Sequence, residues 1–284
     1  MKIKCLNQTE LNNALPFVWD VFCEYEEVNY PDSGKQAFWN AIHSKEYIQM
    51  LSAYGAYENE KLIGIIATRN AGSHIALFFV DGHYHHQGVG RSLWNAVLED
   101  SAVNEITVHS SLYAVEVYKK LGFVQSDEVQ EDGGIQYIPM VYKALIYGLQ
   151  SKDDKKAYAL SKEIGAKSAA SDEYYAYFED FAGLLDVKSS YVRTRGFVLC
   201  CAQARWDSEN RLQRTFPKMF VLLHDDKPTV VRQCLGALHE VALYRPELCG
   251  AIKEELERID LSKYKDSMAP LIQKDMNELL KMLD

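Results

Sequence analysis

Ile75-Ala-Leu-Phe-Phe-Val80-Asp-Gly-His-Tyr-His85-His-Gln-Gly88-Val-Gly90-Arg91-Ser-Leu93 is the stretch that decides the fold. An apolar strand enters a turn and emerges as Gln-Gly-Val-Gly-Arg at the start of an amphipathic helix. Val89, Leu93, Trp94, Val97 and Leu98 share one face of that helix. Glycines let backbone approach a ligand closely, and the unpaired N–H groups of a helix start favour anions, so a pyrophosphate is the expected guest. The pattern is not a P-loop, because no Gly-Lys-Ser/Thr follows. Nor is it a dinucleotide fingerprint, because the third glycine is missing.

Outward from the loop, the first half alternates strands and helices. Lys2 to Leu6 predicts an edge strand. Thr9, followed by Leu11, Leu15, Val18 and Phe22, predicts a capped helix that Pro16 kinks or delays. A second helix is expected over 34–43, and strands over 53–58, 62–69 and 74–81, the first two joined as a hairpin through Glu58-Asn59-Glu60-Lys61. After the glycine-loop helix come a strand (106–109), a helix (112–121) and two strands (123–129 and 135–143) across Asp132-Gly133-Gly134.

Strand, glycine loop, helix and strand are followed by Ser111-Leu-Tyr-Ala114-Val-Glu-Val-Tyr118-Lys-Lys-Leu-Gly122-Phe123. This succession resembles the GNAT acetyltransferase superfamily from residue 1 to about 145. Phe22-Cys-Glu24-Tyr25 through Tyr30 and Gly34 to Phe38 is similar to the paired first helices that wall the acceptor site in a bacterial subgroup. The resemblance implies an α/β fold, a mixed central sheet flanked by helices, with acetyl-CoA as co-substrate and an amine as acceptor. It assigns the pyrophosphate to Gln87, Gly88, Val89, Gly90 and Arg91, with His86 and Ser92 flanking. His85 stands where the family usually has Gln or Arg. Phe79 and Val80 match the strand that pairs with the pantetheine arm, and one of their N–H groups would face the thioester oxygen. Ser111 replaces a frequent Asn that contacts the arm. Tyr118 matches the general acid that protonates the departing thiolate. The strand carboxylate that many members use as base is missing, since this strand reads Leu77-Phe78-Phe79. Glu24, Glu26 and Glu27 are the candidates for that role, against the plainer reading of a solvated acidic helix end.

From Ser151 onward helical spacing replaces strand patterns, with helices expected over 153–167, 172–185, 189–205, 209–223, 228–243, 247–258 and 267–283. Asp186-Val-Lys-Ser-Ser-Tyr-Val192-Arg193 and Asp225-Asp-Lys-Pro-Thr-Val-Val231-Arg232 repeat each other 39 residues apart. The pattern resembles HEAT repeats, in which such Asp and Arg residues staple neighbouring helix pairs. The expected organisation is an acyl-CoA N-acyltransferase domain over 1–149 and an all-α, HEAT-like repeat domain over 150–284 that offers a surface to a protein partner.

Composition narrows the function classes. Among residues 1–150, 10 Lys and Arg face 18 Asp and Glu, while 21 face 22 in the remainder. An acidic first half disfavours nucleic acid and favours cationic amines. Arg205, Trp206, Arg211 and Arg214 form a basic, aromatic cluster, but in a nearly neutral half it reads as a partner-protein or solvated surface. Apolar runs such as Gly196 to Ala202 are far short of the ~18 residues a membrane helix needs, and Met1 to Asn13 lacks the apolar stretch of a leader. Cys5, Cys23, Cys200, Cys201, Cys234 and Cys249 form no metal-ligand spacing, and scattered thiols point to a reducing cytoplasm. Asp81, His83, His85 and His86 suit an exposed, anion-friendly loop better than a metal, so no metal is expected. Two other functions compete with acetyl transfer: a catalytically idle CoA sensor, and a nucleic-acid-associated helical module.

Overall fold

The structure, a computed structural model, describes residues 1–25, 30–101 and 103–283. It divides into two compact units, Met1–Leu145 and Ile146–Asp284. The division falls four residues before the boundary expected at 149/150.

The first unit is built on one sheet. Its strands are β1 (Lys2–Leu6), β2 (Ser52–Glu58), β3 (Lys61–Arg69), β4 (His74–Val80), β5 (Glu105–Ser110), β6 (Val124–Gln125), β7 (Gln130–Asp132) and β8 (Ile135–Lys143). The order is β1-β2-β3-β4-β5-β8-β6, with β7 paired to β8. Only the β4–β5 pairing is parallel among the described ladders. The hairpin between β2 and β3 turns at Asn59 and Glu60, both with positive φ, as a two-residue loop that matches strand twist requires.

Helices cover both faces. On one, α1 (Gln8–Tyr25), α2 (Asp32–His43) and α3 (Lys45–Gln49) bury Leu11, Leu15, Val18, Ile42 and Ile48 against Ile65, Ala67 and Leu77. On the other, α4 (Val89–Asp100) and α5 (Val115–Leu121) bury Leu93, Trp94, Val97 and Leu121 against Ile66, Val108 and Tyr142. Neighbouring β3 residues feed opposite cores because side chains alternate across a strand.

Several local readings need correction. The cap of α1 is Asn7, whose Oδ1 accepts the Glu10 N–H at 2.9 Å while Glu10 Oε2 accepts the Asn7 N–H at 3.0 Å. This reciprocal box, two residues upstream of Thr9, displaces it as the start signal. Pro16 lies inside α1, which already starts at Gln8 and so is not delayed by it. The helix expected from 112 starts at Val115, after a turn in which Ser111 Oγ accepts the Ala114 N–H at 3.2 Å. The 123–129 strand shrinks to β6, with β7 formed separately as a hairpin arm of β8 through Gly133 and Gly134, both at positive φ.

The second unit is helical: α7 (Asp154–Ser168), α8 (Phe178–Gly183), α9 (Ser190–Ala202), α10 (Arg211–Phe220), α11 (Pro228–Tyr244), α12 (Cys249–Glu257) and α13 (Ala269–Leu283), after a short α6 (Ala144–Leu149) at the junction. α9 packs on α7, α8 and α11, and α11 packs on α13. Gly196 permits the close α8–α9 approach, since a Cβ there would stand 2.7 Å from the Phe181 carbonyl oxygen. Arg193 donates to Asp225 at 3.2 Å and Arg232 to Asp275 at 2.5 Å. Arg193 of α9 is thus tied to the loop that leads into α11, and Arg232 of α11 to α13. Asp207 is a fully enclosed anchor. Its carboxylate accepts from Arg245 (2.7 Å), Tyr175 (2.9 Å) and the N–H groups of Arg211 and Leu212 (2.8 and 3.0 Å).

Candidate active site

β4 and β5 pair only through His74↔Thr107 and Ile75↔Val108. In the β3 register Ile75 opposes Thr68 and Leu77 opposes Ala67, so Ala76 is an extra, bulged residue. A bulge bends its strand and ends local pairing. Past it β4 diverges from β5 and a notch opens in the sheet. The Asp81 N–H donates to the Ile63 carbonyl at 3.0 Å. By strand alternation Phe79 also bonds toward β3, whereas the N–H groups of Phe78 and Val80 point into the notch. The sequence expectation named Phe79 and Val80; the register retains Val80 and substitutes Phe78.

Two cavities meet at the notch. One, of ≈ 390 Å³, is lined by Tyr25, Val80, His85, Gly88, Gly90 and Tyr118 among others. The second, of ≈ 250 Å³, is lined by Phe38, Tyr47, Arg69, His74, His109 and Tyr137 among others. Phe78, Phe79, Ala114 and Tyr118 line both. Tyr118 is buried, with its ring edge-on to Phe78 (centroids 5.9 Å) and to Phe123 (5.3 Å).

The glycine loop walls the larger cavity. His86 and Gly88 adopt positive φ (61° and 84°), curling the backbone into the start of α4. The first helical bond is made by Ser92 N–H to Gly88 O at 3.0 Å. The N–H groups of Val89, Gly90 and Arg91 therefore precede the helical ladder. Gly90 lets this cradle stay open, since a Cβ there would touch Phe78 at 3.3 Å. His85 donates from Nε2 to the Val80 carbonyl at 3.0 Å, and Arg91 donates to the Lys120 carbonyl at 2.5 Å. Gln87 is exposed and donates to the His83 carbonyl at 2.7 Å. Ser92 is half-buried one position further along α4. Ser111 lines the smaller cavity.

The acidic candidates fare differently. Glu24 is exposed at the end of α1, its carboxylate engages the Tyr25 hydroxyl, and it lines neither cavity. Glu26 and Glu27 lie outside the described residues. Sequence reasoning missed the groups that do reach the smaller cavity: Arg69, His74, His109 and Asp132. Thr107 Oγ donates to the Ser73 carbonyl, so it accepts from His74 Nδ1–H at 2.8 Å, which leaves Nε2 of that imidazole unprotonated. Burial, followed by the Arg69 charge, pulls the His74 pKa down to about 4. The same two causes lower His109, which stacks on Tyr137 with centroids 4.0 Å apart. The available signal was the i, i+2 placement of Thr107 and His109 on a strand beside His74. It becomes meaningful only once the pairing is known.

Tyr25 was also overlooked. Its ring faces His85 (5.2 Å) and Tyr113 (6.1 Å), and its hydroxyl packs on Gly82 so closely that a Cβ there would fall 1.6 Å from it. Among the described residues no group of three or more His, Cys, Asp or Glu could hold a metal ion, and no helix is long and apolar enough to cross a membrane.

Residues 24–144 match the family model described as an acetyltransferase (GNAT) domain. This supports an α/β domain of the acetyltransferase class there, followed by a helical region. No curated protein matches the chain. Solved structures similar to the chain include a GCN5-related N-acetyltransferase from Rhodopseudomonas palustris, 16% identical, covering 50% of this chain and 94% of its own, with TM-score 0.44. The PaiA N-acetyltransferase from Thermoplasma acidophilum, solved with coenzyme A, is 19% identical over 50% of this chain and 99% of its own, with TM-score 0.41. Escherichia coli ElaA is 18% identical over 50% and 100%, with TM-score 0.39.

Proposed function

We propose that the first unit is an N-acetyltransferase that moves an acetyl group from acetyl-CoA to a primary amine of a small molecule, a lysine or a protein N-terminus. The observation that carries this is the junction of the two cavities at Tyr118, beside the divergent half of β4.

Acetyl-CoA fits the larger cavity on two counts: N–H groups at a helix start suit a diphosphate, and Gly90 leaves room for it. His86, Gln87, Gly88, Val89, Gly90, Arg91 and Ser92 hold the diphosphate, and Val80 orients the arm, while Ser111 lines the adjoining smaller cavity. When bound, acetyl-CoA supplies an activated acyl thioester. The N–H groups of Phe78 and Val80 are fixed donors for a carbonyl oxygen that gains negative charge, a preorganised contribution of the oxyanion-hole kind. Tyr118 gives a proton to the leaving sulfur. A lysine-like amine needs roughly 4.6 kcal/mol to lose its proton at pH 7. His109, kept neutral and lining the smaller cavity, accepts that proton through intervening water, whereas Glu24 stands outside the cavity. The helical region, with Arg193 tied to Asp225 ahead of α11 and Arg232 of α11 tied to Asp275 of α13, serves as a docking surface for a protein partner. The protein works in the cytoplasm.

The experiment is thiol release from acetyl-CoA across polyamines, amino acids, aminoglycosides and peptides. Turnover of at least one amine is expected. Tight acetyl-CoA binding without any turnover would instead favour a CoA sensor.

A further inference from the structure

Arg69 closes β3 opposite His74 and lines the smaller cavity. Its Nε is sealed from solvent and has no hydrogen-bond partner. None of the ion pairs or hydrogen bonds among the described residues uses its guanidinium. The partly buried arginines of the second unit are treated differently: Arg193, Arg195, Arg211, Arg232 and Arg245 each meet a carboxylate. Arg69 is half-buried with no ion pair of its own among the described residues, so its terminal nitrogens can pair with an outside anion that enters the cavity.

The surroundings agree. Burial and the Arg69 charge hold both His74 and His109 neutral, and the Tyr47 hydroxyl also lies within the field of Arg69. Burial is the larger cause for both rings, and the Arg69 charge that adds to it attracts a carboxylate. The negative group of the cavity, Asp132, instead influences His109. His74 to Phe78 spans four residues of β4, or about 13 Å along the strand. The cationic end of the cavity is thus separated from the notch where acetyl transfer takes place.

We infer that the acceptor is an amino acid-like molecule whose primary amine reaches Tyr118 and whose carboxylate, a short chain away, pairs with Arg69. This rests on the acetyl-transfer reading and narrows it to amines carrying a remote carboxylate. Lysine acetylated at its side-chain amine has this form.

The test compares 6-aminohexanoate with 6-aminohexanamide, a pair that differs only in charge at the end away from the amine. Calorimetric binding and thiol release with acetyl-CoA are measured on the full chain and on Arg69→Met and Arg69→Lys. The acid should bind at least about tenfold more tightly than the amide and show a correspondingly lower KM. Arg69→Met should erase that preference, and Arg69→Lys should retain part of it. Arg69→Met should also unfold at the same temperature as the wild type or higher, because it removes an unpaired cation; a merely structural arginine would destabilise on removal. Equal binding of acid and amide, no binding of the acid, or an undiminished preference in Arg69→Met overturns the inference while acetyl transfer to other amines stands. Absence of thiol release with every amine, while acetyl-CoA binds, removes the underlying reading and this inference with it.

Discussion

Tyr118→Phe separates catalysis from binding at the point where the two cavities join. The ring is buried against Phe78 and Phe123, and phenylalanine keeps both contacts. The substitution removes one hydroxyl and the interaction it makes, a stability cost of about 1 kcal/mol. The variant should therefore fold. Loss of a positioned proton donor typically lowers rate by 10²–10⁴-fold, so kcat should fall by about that factor, equivalent to ~3–5 kcal/mol of barrier. Acetyl-CoA is held mainly by the glycine loop and the β4 edge, so its affinity should change less than about threefold. The acceptor KM should also stay nearly constant if the hydroxyl acts only in the transition state. Thiol-release kinetics, with calorimetric titration of acetyl-CoA and a thermal melt on the same sample, measure all of these quantities. A kcat within threefold of wild type, with an acceptor that the wild type turns over well, would refute the general-acid role.

Two further perturbations test other parts of the account. Asp207→Asn preserves shape but removes the enclosed carboxylate, leaving the Arg245 charge only the more exposed Glu247 as counter-ion. Denaturant unfolding should show a loss of about 3–5 kcal/mol in the second unit, and a loss below 1 kcal/mol would mean that solvent reaches the pair. His74, at a pKa of about 4 against an ordinary value of 6.5, binds its proton less readily in the folded state. Its stabilisation is complete above pH 6.5 and is lost as pH falls toward 4. Discounted for the ring's opening onto the cavity, the loss is on the order of 2 kcal/mol. His74→Gln should flatten the unfolding profile across that window, and parallel profiles for the two proteins would contradict the assignment.

The order of strands and helices was legible because the 2.0 and 3.6 periodicities alternate in the first half and the 3.6 periodicity alone runs through the second. The glycine loop was legible because its chemistry is local: Gln87 to Arg91 are contiguous and open a helix. The groups of the smaller cavity were not. Arg69, His74, His109 and Asp132 come from four different strands and meet only through the sheet order β3-β4-β5-β8 with β7 beside β8. Nothing in the neighbourhood of Arg69 in sequence marks it as unpaired. The acidic residues near Glu24 attracted attention by their density, yet the end of a helix exposes Glu24. The exchange of Phe79 for Phe78 as a donor reflects strand phase, which pairing sets and composition does not. The short α3 escaped notice because Lys45–Gln49 is too brief for a periodic signal, and it rests on a local cap from Ser44 to the Tyr47 N–H at 3.2 Å.

The central claim, that the start of α4 receives the diphosphate of acetyl-CoA, is tested most directly by calorimetric titration of acetyl-CoA into wild type and Gly90→Glu. Gly90 is the better position than Gly88, because its backbone is helical and its added Cβ needs only a small shift of Phe78 (3.3 Å), whereas Gly88 sits at φ 84°. The account predicts measurable binding by the wild type and at least about a hundredfold loss in a folded Gly90→Glu, whose carboxylate would occupy the anion's place. Unchanged affinity in that folded variant would contradict it.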